Sequence, residues 1–211
     1  MKKLLTSALL LTVGLLSYGQ EKGEWRARLR ATCVVPDASA KITTIGGSAD
    51  ISNTVIPELD FTYFITKRVS ANLILGTTRH KVTATKTALG DVDLGKVWLL
   101  PPTLTFLYHV PAGKIVQPYA GAGVNYTIFY GKKNGPAIAD ISYKNRFGFA
   151  TQIGSDFMLN DKWFVNVDVK KIWLKTKNTV TTIPSVAGGA TVHANTKIDP
   201  WLFSVGVGLK F

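Results

Sequence analysis

Apolar and polar side chains alternate one for one through eight runs of this chain, and a period of two commits those runs to strands. In "EWRARLRATCVV", Trp25, Ala27, Leu29, Ala31, Cys33 and Val35 share one face, with Arg26, Arg28 and Arg30 on the other. In "ELDFTYFIT", Leu59, Phe61, Tyr63 and Ile65 oppose Glu58, Asp60 and Thr62. The last run, "WLFSVGVGLKF", sets Trp201, Phe203, Val205, Val207, Leu209 and Phe211 against Ser204, Gly206, Gly208 and Lys210. The same parity holds across about 69–80, 97–109, 115–130, 144–158 and 162–176.

Several of these runs are 10–14 residues long. Strands of globular sheets are mostly about 5–6 residues, whereas a tilted strand needs roughly 9–11 to cross a bilayer. The connections alternate too. Short ones fall at "TKRV", "VPAGK" and "LNDK"; long ones, rich in Gly, Thr, Ser, Asn and Lys, fall near 37–55, 81–96, 131–143 and 177–198. Short periplasmic turns, long extracellular loops and both termini in the periplasm are the plan of an outer-membrane barrel.

The five tryptophans agree with that plan, since all lie on the apolar face. Trp25 and Trp163 fall near periplasmic strand ends with Tyr108 and Phe211; Trp98, Trp173 and Trp201 fall near extracellular ends with Tyr130. Indole and phenol rings favour the headgroup boundary, so two girdles of them mark the two edges of a bilayer. A secreted β-sandwich would also alternate, but it explains neither the strand lengths, nor the two girdles, nor three arginines on one face. The expected fold is all-β, an eight-stranded antiparallel transmembrane β-barrel.

Lys2, Lys3, the apolar run 4–16 and Ser17-Tyr18-Gly19 read as a secretory leader cut before Gln20. That apolar run is shorter than the roughly 20 residues of a spanning helix. Residues 1–19 are therefore expected to be a signal peptide and 20–211 a single outer-membrane barrel domain. The formal net charge of +12 suits anionic lipid headgroups better than nucleic acid in a protein exported from the cytoplasm. The single cysteine, Cys33, can form no internal disulfide and reads as a small apolar strand residue.

The stretches "RHK" (79–81), "LPPTL" (100–104), "PYAGAGVNYT" (118–127) and "DPWLFSVGVGLKF" (199–211) resemble the outer-membrane protein W (OmpW) family in order and spacing. The resemblance runs from about residue 56 to the C-terminus, while the first strand and loop match in pattern only. It implies a small eight-stranded barrel of Gram-negative outer membranes, with a hydrophobic interior pocket and a role in passing small hydrophobic molecules. The terminal strand ending in Phe211, a feature of many outer-membrane barrels, is expected to engage the barrel-insertion machinery.

Eight strands enclose a space that side chains nearly fill, so a wide aqueous pore is not expected. On the periplasmic half, parity turns Arg26, Arg28, Arg30, Asp156, Asn166, Asp168 and Lys210 inward, where charges must pair and would form a plug. On the extracellular half the inward set includes Val34, Ile74, Leu99, Pro101, Phe129, Ile172 and Leu174, with Thr103 and Lys170 near mid-height. These line either a greasy pocket open to the outside or a small packed core under folded-in loops. Lys170 departs from the family pattern, which implies a bulky aromatic at that place. It is expected to pair with Asp168 or an acid across the barrel, or else to favour ligands with an anionic head.

Pro101 and Pro102 interrupt a strand in which each should supply a ladder donor. Adjacent residues aim their backbones at opposite neighbours, so one donor is expected to be missing toward the third strand and one toward the fifth. Either Thr103 or water satisfies the orphaned carbonyls and the prolines only bend the wall, or they open a lateral seam into the bilayer.

His80, His109 and His193 share no fixed spacing with a serine and an acid, and solvated or capping roles are expected for them. No pair or cluster has zinc-ligand spacing, and no cofactor is implied. Neither catalysis nor a catalytic residue is expected. The expected partners are small hydrophobic solutes, outer-membrane lipids and lipopolysaccharide, the last through the lysine-rich loops. A purely structural or adhesive barrel with a solid interior is the alternative; a lipid-modifying enzyme is the weaker one.

Overall fold

The computed structural model describes residues 20–42, 46–88 and 90–211; the expected leader, residues 1–19, lies outside them. In chain order the strands are β1 (Trp25–Val35), β2 (Ser39–Ile42), β3 (Ser48–Ile51), β4 (Thr54–Phe64), β5 (Val69–Gly76), β6 (Thr78–Thr87), β7 (Gly90–Leu100) and β8 (Thr103–His109). They continue as β9 (Val116–Asn134), β10 (Ile138–Tyr143), β11 (Arg146–Met158), β12 (Trp163–Trp173), β13 (Lys175–Thr182), β14 (Thr191–Lys197) and β15 (Trp201–Lys210).

Eight of these close a ring of antiparallel neighbours: β1, β4, β5, β8, β9, β11, β12 and β15, which returns to β1. The closing seam pairs Arg26 with Lys210 through to Val35 with Trp201, so no edge is left among the spanning strands. The terminal residue completes it, since the Trp25 and Phe211 backbones exchange two hydrogen bonds of 3.0 Å.

The wall is inverted relative to a water-soluble protein. Leu29, Val124, Phe203 and Val205 are exposed on the outside, while Arg26, Arg28 and Arg30 are buried inside. Apolar area of that extent facing outward is a lipid-facing belt. Trp25, Tyr108 and Trp163 mark its lower edge, and Trp173, Trp201 and Tyr130 its upper edge.

The stretches expected as long loops are mostly sheet. Above the upper girdle, β3, β6, β7 and the end of β9 continue the wall, and β10, β13, β14 and β2 form a second four-stranded sheet. The reason lies in their composition: Thr and Val alternate with small residues there, as in "KVTATKT", and such residues favour extended backbone that pairs. The barrel therefore carries a folded extension on its extracellular side rather than a fringe of loops.

Inside the lower half, inward-facing glycines make room for large neighbours. Gly154 stands beside Tyr119 in the register, and a Cβ there would lie 2.5 Å from the Tyr119 hydroxyl oxygen. Gly208 stands beside Phe164, and a Cβ there would lie 2.2 Å from that ring. Each glycine lets a neighbouring ring lie flat across the wall.

Candidate functional site

Three arginines spaced two apart on β1 must all point inward, where acids on other strands, and Glu24 just before β1, meet them. Arg26 reaches Glu24 (2.7 Å) and Asp156 (2.7 Å); Arg28 reaches Asp60 (2.9 Å) and Asp156 (2.8 Å); Arg30 reaches Glu58 (2.5 Å) and Asp60 (2.9 Å). Asn166 donates to Asp156 (2.7 Å) and to the Tyr119 hydroxyl (2.9 Å), which donates in turn to Asp168 (2.8 Å). Phe64 and Phe164 lie against the Arg26 guanidinium at 4.7 and 5.3 Å.

Within this floor the cations Arg26, Arg28, Arg30, Lys170 and Lys210 face the anions Glu24, Glu58, Asp60, Asp156 and Asp168, five against five. Of the seven inward residues expected to form a plug, Arg26, Arg28, Arg30, Asp156, Asn166 and Asp168 are in the network with at most 2% exposure, and Lys210 meets Glu24 at 2.9 Å nearer the periplasmic end. Glu58, Asp60, Asn72 and Tyr119 belong to it as well, although the sequence reading did not put them in the plug. Parity already placed Glu58 and Asp60 on the polar face of their strand, and that signal was sufficient to find them.

Lys170 pairs across the interior with Glu58, Nζ to Oε2 at 3.5 Å, not with its neighbour Asp168. Directly above this pair the lining changes. A cavity with about 890 Å³ of empty space, counting its open mouth, is lined by Ile74, Leu99, Pro101, Thr103, Phe129, Lys170, Ile172 and Leu174. Together with Val34, which also lines it, these are the nine residues that parity turned toward the upper interior. The cavity also takes in Ile51, Ile56, His80, Val82, Val97, Tyr143, Asn178 and Ile198. Several of these come from the extension, which the sequence reading treated as loops and so gave no parity.

A second apolar cavity of about 680 Å³ lies within the extension, lined by β2, β3, β6, β7, β10, β13 and β14. The two cavities share Val82, Tyr143, Asn178 and Thr196, so they stack along the barrel axis.

The proline pair interrupts the wall of the lower cavity on one side. Ladder pairing of β5 with β8 ends at Ile74 opposite Thr103, and that of β6 with β7 begins at Thr78 opposite Leu99. The register is the same on both sides of the break, so Gly76 stands opposite Pro101. Residues 75–77 and 100–102 belong to neither ladder. Gly76 has no side chain, Pro101 has no donor, and both line the cavity. Thr77 bridges the upper end, its hydroxyl 2.6 Å from that of Tyr130 and 3.3 Å from the Leu99 carbonyl it donates to.

The donor expected to be missing on each side has different consequences on the two sides. Toward β9 the break is closed, because Asn125 Nδ2 donates to the Pro101 carbonyl (3.0 Å), the Pro102 carbonyl (3.3 Å) and Thr103 Oγ1 (2.8 Å). The Tyr126 amide also donates to Pro102 (3.0 Å), and Thr103 Oγ1 to Pro101 (3.0 Å). Only the Gly76 side stays open.

The histidines are also more constrained than solvated or capping roles require. His109 is fully buried, 2.8 Å from Ser70 Oγ and packed between Phe64 and Tyr119. Its Nδ1 has no hydrogen-bond partner, so no acid orients the Ser70–His109 contact. His80 lines the cavity with Nδ1 2.6 Å from the Ser52 carbonyl, and His193 Nδ1 lies 3.1 Å from the Thr179 hydroxyl in the extension. No group of metal-ligating side chains occurs among the described residues.

The sequence profile of the OmpW family matches residues 21–211. The chain belongs to the OmpW family. It is 35% identical to outer membrane protein W of Escherichia coli over the full length of both chains. It is 34% identical to the dibenzothiophene metabolism operon protein PahQ of Pseudomonas aeruginosa, across 90% of each chain. The crystal structure of OprG from Pseudomonas aeruginosa superposes with a TM-score of 0.83 at 28% identity, over 92% of this chain and 98% of that one. This OmpW-family barrel is thus an outer-membrane protein of the Gram-negative type, and its relatives are outer-membrane barrels.

Proposed function

We propose that this barrel takes small hydrophobic molecules from outside the cell into the lower cavity and passes them across the outer membrane, releasing them sideways into the bilayer between Gly76 and Pro101. The observation that carries the reading is the change of lining at Lys170 and Glu58, with apolar side chains above and fully buried ion pairs below. A solute at that level would have to separate buried charges to continue straight down, at roughly 3–5 kcal/mol for each pair broken. The wall beside it is the weaker barrier, because three rungs lack ladder pairing and in one of them Gly76 contributes no side chain. Dibenzothiophene, named in one relative, is an uncharged apolar aromatic of the class such a lining would accept. On the rim, the exposed lysines Lys41, Lys96, Lys133 and Lys144 suit the phosphates of lipopolysaccharide.

The test is uptake of radiolabelled naphthalene by cells that make the barrel or lack it. Ile74→Arg, Leu99→Arg and Ile172→Arg each place a charge in the cavity that can still reach water at the mouth, so the barrel should insert and remain heat-modifiable on a gel. Uptake should fall toward that of cells without the barrel. Wild-type uptake in all three variants would instead favour a structural or adhesive barrel.

A further inference from the structure

The two stacked cavities meet at one cross-strand pair. Tyr143 on β10 stands directly opposite Asn178 on β13, and both side chains line both cavities. Residues opposite each other on one face of a sheet hold their Cβ atoms about 5 Å apart, so the phenol and the amide are neighbours. The Tyr143 ring stacks on Phe129 with centroids 5.2 Å apart and planes 10° apart, which fixes it across the passage.

Polar capacity is left over at this junction. Asn178 is only 9% exposed; its Nδ2 donates to Thr196 Oγ1 at 2.8 Å, while its Oδ1 has no partner. An unmatched amide pole in an apolar passage is costly, and native structures keep few of them. The Tyr143 hydroxyl makes no hydrogen bond among the described residues, and burial pushes its ionisation up, so it stays a neutral phenol that can donate and accept. His80, which lines the lower cavity only, lies two residues along β6 from the shared Val82. The Ser52 carbonyl can only accept, so His80 Nδ1 carries the proton and Nε2 is left as an acceptor on a ring that burial holds neutral.

Charge narrows the ligand further. The floor is balanced, five cations against five anions, and Lys170 is already engaged with Glu58. Neither an ionised carboxylate nor an ammonium group would find a surplus countercharge there. A hydroxyl fits the junction whichever pole of the Asn178 amide is left over, because it both donates and accepts.

Resting on the hydrophobic-cavity reading above, we infer that the Tyr143–Asn178 pair is a polar selection point, and that the barrel prefers neutral, apolar-bodied molecules carrying a hydroxyl group, such as phenols and medium-chain alcohols. The apolar body occupies the cavities and the hydroxyl docks where they meet.

The experiment compares naphthalene, 2-naphthol and 2-naphthoate, which share one ring system. Each is titrated onto the full barrel in lipid nanodiscs at neutral pH, followed by NMR shifts of the cavity residues. The wild type should bind 2-naphthol on the order of tenfold more tightly than naphthalene, the ratio one neutral hydrogen bond supplies. Asn178→Leu and Tyr143→Phe should each cut that ratio sharply, the ratio being taken against each variant's own naphthalene affinity, and both should remain heat-modifiable like the wild type. Equal binding of naphthalene and 2-naphthol would overturn the inference and leave the cavity reading standing. A preference for 2-naphthol that survives both substitutions would overturn it as well. Tighter binding of 2-naphthoate than 2-naphthol would move the anchor to Lys170 and overturn it. If none of the three binds, the cavity reading fails and this inference fails with it.

Discussion

Lys170 Nζ and Glu58 Oε2 meet at 3.5 Å across the barrel interior, at the level where apolar lining gives way to paired charges. Glu58 has a second partner in Arg30, at 2.5 Å, whereas no other acid pairs with Lys170 among the described residues. The two partners are therefore not equivalent.

Glu58→Gln should destabilise the barrel more than Lys170→Met. Removing the acid leaves a buried ammonium without a counterion, the kind of change that costs about 3–5 kcal/mol. Removing the lysine leaves Glu58 still paired with Arg30. The double variant should recover part of the loss, since its cavity floor then holds no unpaired lysine. Unfolding in detergent, followed by the shift between compact and extended species on a gel, measures all three. Equal losses for the two single variants would mean that water already screens Lys170.

Pro101→Val and Pro102→Val should differ. The Pro102 carbonyl accepts from Tyr126, so its backbone faces β9, and alternation turns that of Pro101 toward Gly76. Pro101→Val restores a donor on the open side, worth about 1 kcal/mol and more where lipid offers no competing water. Amide exchange at residues 75–77 should slow in this variant and hardly change in Pro102→Val. Apolar solutes should leave the Pro101→Val cavity more slowly while binding it equally well. Slower exchange with unchanged transport would make the break a matter of barrel shape alone. Loss of stability would mean that the bend itself is needed.

Asn125→Ala should open the side of the break that is now closed. The Asn125 amide reaches both proline carbonyls and Thr103; without it the Pro101 carbonyl keeps only the Thr103 hydroxyl, the Pro102 carbonyl only the Tyr126 amide, and the Thr127 hydroxyl loses its acceptor. Each buried group left unsatisfied costs about 1–3 kcal/mol. A lower unfolding midpoint, with faster exchange at Asn125–Thr127, is the expected result. Unchanged stability would show that water replaces the amide.

The His80 ring should titrate below its ordinary value of 6.5, because burial disfavours the imidazolium more than the Ser52 contact favours it. An opened extension would take up the proton first as the pH falls. The contribution of neutral His80 to stability is thus complete above 6.5 and is lost as the pH falls through the depressed folded value. Ring shifts by NMR give the midpoint. Protection factors at Ser52, whose amide donates to Lys81, should decline over the same range. A midpoint at or above 6.5 would mean that the cavity mouth is wet.

Parity was the part of the architecture written into the sequence. Strand geometry puts successive side chains on opposite faces whatever the strand pairs with, so the alternation around Ile74, Leu99 and Ile172 was enough to turn them inward. The same local rule placed Arg26, Arg28 and Arg30 inside and the tryptophans outside, and strand length identified the solvent as lipid.

Which residues meet across the interior was decided only by the closed barrel. The partner of Lys170 depends on the stagger between strands far apart in the chain, and no local pattern encodes it; Asp168 was nearer in sequence, yet Glu58 is the partner in space. The pairing of Gly76 with Pro101 likewise follows from a register set by the rungs on either side of the break. His109 is buried because Phe64 and Tyr119 converge on it from other strands. The extension was hidden for a further reason. Thr, Gly, Asn and Lys read as loop by composition, but once the strands below fix their ends, pairing satisfies their backbone groups, and that pairing brings Tyr143 and Asn178 face to face.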